Sequence, residues 1–156
     1  MLPPVRMMWA AEILTLVAVL ACGLFAGAAV YITLVEHPAR LQCGTTLAIA
    51  EFGPSYRRGA AMQASLAALG CLAGVGDWAR GHGVLPLAAG LLMAAVIAFT
   101  LVVILPTNKR LLDPALDSGS AEAATLLARW GHLHAVRTLL GGVALLLLGL
   151  HLVGAR

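Results

Sequence analysis

Near the start of the last apolar stretch lies the run Trp130-Gly131-His132-Leu133-His134-Ala135-Val136-Arg137-Thr138. A charge in a lipid-embedded helix is expensive, so Arg137 is expected to face other helices or a polar cavity. On a helix, Trp130, His134, Arg137, Thr138 and Gly141 share one face through spacings of three and four. His132 lies two residues from His134, about 200° around the axis. Only one of these histidines can join Arg137, and His134 shares its face. Gly141 and Gly142, one turn deeper, predict that this face packs closely on another helix. The plainer alternatives are an Arg137 that snorkels to headgroups and a His134 bonded to a backbone carbonyl.

Other residues with chemical potential cluster near the ends of the apolar runs. Tyr31 is followed by Glu36-His37-Pro38, and Glu36 and Arg40 are spaced to pair at i,i+4. Tyr56-Arg57-Arg58 precedes Gln63, and Pro106-Thr107-Asn108-Lys109-Arg110 follows the third run. Arg57, Arg58, Lys109 and Arg110 also read as topogenic charges. His37 and His134, brought together across helices, could ligate haem or a metal. The His-x-x-x-His and His-Glu-x-x-His helix pairs of a strong metal site are absent. So are Cys-x-x-Cys, a Gly-rich phosphate loop and Gly-x-Ser-x-Gly. Cys22, Cys43 and Cys71 have no pairing or metal spacing, and Cys22 and Cys71 read as small packing residues.

The elements that must position these residues are membrane helices. The chain is 61% hydrophobic and 11% charged, with mean hydropathy +0.94. That much apolar surface exceeds one small core, so lipid must solvate the rest. The apolar runs are about Met8–Val35, Gly59–Val75, Val84–Leu105 and Ala135–Val153. The fold class is therefore all-α. Four transmembrane helices, about 8–36, 56–78, 84–106 and 121–154, form an antiparallel bundle in a single integral membrane domain, 1–156. A short interfacial helix is expected over Leu41 to Phe52. Pro38 stops the first helix, Gly53-Pro54-Ser55 is a turn with Ser55 capping the second, and Ser118 or Ser120 caps the fourth. Gly23 and Gly27, with Gly70 and Gly74, are expected at helix contacts or at a homo-oligomer interface. Trp130 reads as an interfacial anchor.

Up-down connectivity sends Tyr31, Glu36, His37, Arg40, Tyr56, Asn108, Lys109, Trp130, His134 and Arg137 to one membrane side. Glu12, Asp77, Arg80, His82 and His151 go to the other. Lys and Arg in the two long loops (Arg40, Arg57, Arg58, Lys109, Arg110, Arg129) outnumber Arg6, Arg80 and Arg156. Loops 38–54 and 107–125 are thus expected in the cytoplasm, in a multi-pass protein of the plasma membrane. The expected partners are the lipid bilayer and a small lipophilic ligand, with no nucleic acid.

Read in order, these blocks resemble the anthrone oxygenase family of small four-helix membrane proteins. The matching pieces are Glu36-His37-Pro38, Tyr56-Arg57-Arg58-Gly59 with Gln63, Pro106-Thr107-Asn108-Lys109, and Trp130…His134…Arg137-Thr138. The resemblance implies an enzyme that oxidises tricyclic anthrones to anthraquinones with O2, without metal or flavin. It implies His134 or His37 as base, and Arg137, helped by Lys109 or Asn108, as the group that stabilises the oxyanion. Trp130 and Tyr31 would sandwich a flat substrate, with Tyr56, Gln63 and Thr138 also in the binding site.

The leading expectation is a membrane oxygenase acting on an aromatic or phenolic substrate, with O2 as co-substrate and no tightly bound cofactor. The second is a haem or metal redox protein using His37 and His134. The third is a non-enzymatic protein that binds a lipophilic ligand or a partner helix.

Overall fold

Two prolines decide how the long helices bend. A proline inside a helix removes a donor and drives its ring at the carbonyl four residues back. For Pro38 and Pro106 those carbonyls belong to Leu34 and Val102. Each lies in a π-helical segment, Ile32–Glu36 and Thr100–Ile104 respectively. The wider π turn relieves the clash, so neither helix ends there. The first long rod is α1 (Val5–Tyr31), its π segment and α2 (His37–Gln42). The third is α4 (Val84–Phe99), its π segment and α5 (Leu105–Leu111).

The computed structural model describes residues 5–154, with side chains from Glu12 onward. The Arg6 side chain and Arg156, used in the charge comparison above, lie outside the described residues. Between the rods above and after them run α3 (Thr45–Ala79) and α6 (Ala121–Gly154). Among the described residues all regular structure is helical, and four helices are long and apolar enough to cross a membrane.

The sequence placed a separate interfacial helix at 41–52 and a turn at Pro54, and the structure differs. The chain breaks instead at Gly44, whose φ of 88° suits glycine as the residue before α3. Then α3 runs straight through Pro54. Tertiary packing overrides the local signal there. Ala48 and Phe52 are fully buried against Leu111, Leu127 and Trp130, and that burial holds the helix on both sides of the proline. The segment read as loop 38–54 is therefore almost wholly helix.

Around the bundle, α1 and α4 each pack between α3 and α6. Small residues set the closest approaches. A Cβ on Gly74 would meet the Pro86 carbonyl at 2.6 Å, and one on Gly141 would meet the Phe25 ring at 2.7 Å. Gly27, expected at a contact, has nothing within 4 Å of its would-be Cβ and is exposed. It lies on the outer side of α1. At the start of α6, Ser120 Oγ accepts from the Ala123 amide at 3.1 Å, the expected cap.

Candidate functional site

Towards the ends of the bundle that carry both π segments, the four rods enclose a cavity of about 570 Å³. Its α3 wall is built from Tyr56, Ala60, Gln63, Ala64 and Ala67, so alanines leave the volume open. Ile32 and Glu36 reach it from one π segment, Thr100 and Leu101 from the other. The shift in register caused by the prolines thus turns these side chains inward.

Two polar stations stand on this mostly apolar wall. At the inner one, Arg137 Nη2 donates to Gln63 Oε1 at 2.7 Å. Its guanidinium carbon also lies 5.5 Å from the centre of the Phe25 ring. Arg137 has no carboxylate partner among the described residues, and its Nε and the Nε2 of Gln63 are buried without a hydrogen bond. Gln63 itself is 2% exposed. At the outer station Arg40 pairs with both Glu36 and Glu51 and donates to Ser55 Oγ at 3.0 Å. Ser55 and Gln63 both lie on α3, eight residues apart, which separates the stations by about 12 Å along the helix.

Trp130 forms the floor between the stations and the histidines. Its Nε1 donates to Asn108 Oδ1 at 2.9 Å, and both residues line the cavity. Its indole packs against His37 on one side (centroids 5.1 Å) and stacks on His134 on the other (4.8 Å). Phe52 meets it edge-on at 5.4 Å. Gly131 makes room for His37, whose Nε2 would lie 2.6 Å from a Cβ there.

Several expectations are corrected by this arrangement. His134 is buried as expected while His132 is exposed, but His134 does not line the cavity, and neither does His37. The reason is Trp130, which is 7% exposed and buried in the bundle rather than anchoring at the membrane surface. Both histidines pack on its indole, and no group of three or more metal-ligating side chains occurs among the described residues. His134 Nδ1 instead bonds Thr33 Oγ1 at 3.1 Å, and Thr33 bonds Thr138 at 2.7 Å. Thr138 therefore ties α6 to α1 and is no cavity wall. Lys109 is exposed and points away from the cavity lining. Tyr31 lines the cavity but is 55% exposed, so it sits at the rim rather than opposite Trp130. Tyr56, Gln63, Asn108, Trp130 and Arg137 are brought together as expected.

Arg40 was legible only as the partner of Glu36. Its burial and its bonds to Glu51 and Ser55 depend on α3 continuing through Pro54, against the local turn signal. One charge of the topological count is thus an internal group. Arg110 likewise is tied to Asp113 and Glu122.

The family model for anthrone oxygenase matches residues 52–147. This is more than half of the chain, which therefore belongs to the anthrone oxygenase family. The match runs from the Phe52 that edges Trp130 to beyond Arg137. No curated protein and no solved structure matches the chain.

Proposed function

We propose that this family member is a membrane oxygenase whose cavity binds a flat, lipophilic phenol or anthrone-like ketone and whose Arg137 holds its oxyanion. The observation that carries the reading is Arg137 itself. A guanidinium at membrane depth needs an anion or strong acceptors, and the protein supplies it one amide oxygen. The substrate's oxygen fills the remaining need, accepting from Arg137 with the free Gln63 amide beside it.

The reaction follows from the substrate class that the family name carries. A methylene opposite the ketone loses a proton, and the charge moves to the oxygen held by Arg137. The electron-rich carbanion then gives electrons to O2 and forms a C–O bond. Loss of water from the resulting hydroperoxide leaves a second carbonyl, so CH2 and O2 become C=O and H2O. The ketone oxygen and the methylene lie across one ring, much closer together than the about 12 Å between the stations, so with the oxygen on Arg137 the methylene is presented to the wall between them. Glu36 is the carboxylate on the outer side of that wall, and it takes the proton, while Arg40 holds it in place. The histidines behind Trp130 fix the indole against which the rings lie.

The test is O2 uptake by purified protein with a panel of anthrones and polycyclic phenols, using labelled O2. The expected result is one labelled oxygen in the product and one in water. Absence of turnover across the panel, with bound ligand present in the cavity, would leave a binding protein in place of an enzyme.

A further inference from the structure

At the opposite end of the bundle lies a second cavity of about 680 Å³, and its polar groups have the opposite character. Its polar lining is Glu12, Thr15, His82 and His151; apart from glycine the rest is aliphatic. Behind this wall Asp77 is 0% exposed. Thr15 Oγ1 donates to both its oxygens at 3.0 Å, and His82 Nδ1 lies 2.6 Å from Oδ1. His151 Nε2 is turned to Oδ2 at 3.7 Å. The four contributors come from α1, α3, the α3–α4 connection and α6.

A carboxylate only accepts, so it selects the tautomer of an imidazole bonded to it. In the neutral ring, a proton on His82 Nδ1 serves Asp77 Oδ1, while His151 Nε2 faces Oδ2 from beyond hydrogen-bond range. Neutral His82 then has a lone pair on Nε2, and neutral His151 has one on one of its two nitrogens. With Glu12, the cavity offers a set of acceptors with two carboxylates close by. No lysine or arginine lines it among the described residues.

We propose that this second cavity binds a lipophilic primary ammonium. Its N–H groups donate to the two imidazoles, its charge is met by Glu12 and Asp77, and its chain lies along the aliphatic wall. The ammonium can come from an ethanolamine lipid headgroup or from a free amphiphilic amine. The inference is independent of the oxygenase reading, because it uses none of the residues of the first cavity.

Full-length protein in a neutral detergent is titrated with dodecylammonium, dodecyltrimethylammonium and dodecyl sulfate, and binding is read by thermal shift and calorimetry. Dodecylammonium should bind about tenfold or more tighter than the trimethyl analogue, which has charge but no N–H. Glu12→Gln, at an exposed position, and His151→Phe should each weaken it by a similar factor. In a second arm, phosphatidylcholine nanodiscs are compared with discs that also hold phosphatidylethanolamine. Stabilisation by ethanolamine lipid alone names the lipid as the source, and binding of the free amine alone names the amine. No preference for primary ammonium in either arm would overturn the proposal. So would equal affinity for the trimethyl analogue, or binding unchanged in both Glu12→Gln and His151→Phe.

Discussion

The polar groups inside the bundle are partnered in two different ways. Asp77 and Arg40 are both buried charges, and each is surrounded by partners from several helices. Asp77 has Thr15, His82 and His151; Arg40 has Glu36, Glu51 and Ser55. Arg137, half-buried at the inner station, has one amide oxygen and an aromatic face. Removing a charge from water costs several kcal/mol unless partners replace the lost hydration. Where the protein provides a counter-charge, as it does for Arg40, the pair clasps helices together. Where it provides one neutral amide oxygen and leaves open volume alongside, as at Arg137, the proposed function assigns the remainder to a ligand.

That contrast can be broken most sharply at Arg137. On the oxygenase reading, Arg137→Leu should cost on the order of 10²–10³ in kcat while the protein still folds, because the oxyanion loses its donor; Gln63 Oε1 loses its donor as well. Arg137→Lys should recover part of this, since ammonium lacks the planar fork. Glu36→Gln should lower kcat by about 10², while His134→Ala changes rate less. Full activity of Glu36→Gln would return the proton to a histidine.

Stability effects come next. Asp77→Leu should destabilise by about 1–3 kcal/mol, as Thr15 and His82 lose a buried acceptor. An unchanged Tm would mean that this cluster is no clasp. Gly74→Ala should cost about 1–3 kcal/mol, because its methyl meets the Pro86 carbonyl and the Gly90 backbone, which cannot move freely. Gly27→Ala, facing open space, should lie within about 0.5 kcal/mol of wild type.

The smallest effect is expected in the α5–α6 connection. There the Ala115 amide, with Arg110 alongside, holds the Asp113 carboxyl below the usual carboxylate range. A depressed carboxylate adds stability above its ordinary range and loses it as pH falls through the folded value. Asp113→Asn should therefore lower Tm slightly at neutral pH and not at all in strong acid.

Much of this was legible in the sequence. Hydropathy gave the four rods, and the bounds 121–154 for the last helix agree with Ala121–Gly154. Spacing on that helix put Trp130, His134 and Arg137 on one inward stripe and left His132 outside. What spacing could not give was depth within the stripe: Trp130 is large enough to take the cavity wall and put both histidines behind it. Pro38 and Pro54 were misleading for one reason. Local propensity ends a helix at proline, whereas a π turn in one case and buried Ala48 and Phe52 in the other keep it going. The bonds from Arg40 to Glu51 and Ser55 followed that continuation and were invisible without it.

The central claim is that Arg137 stabilises an anionic oxygen in the first cavity. The most direct measurement is the pKa of a chromophoric naphthol bound there, titrated by absorbance in wild type and in Arg137→Leu. Stabilisation by 10²–10³ corresponds to about 2–3 pKa units, so the bound naphthol should ionise that far below its value in detergent alone. In Arg137→Leu the depression should vanish while the ligand still binds. Equal ionisation of the bound naphthol in the two proteins would contradict the account and leave Arg137 as a structural charge.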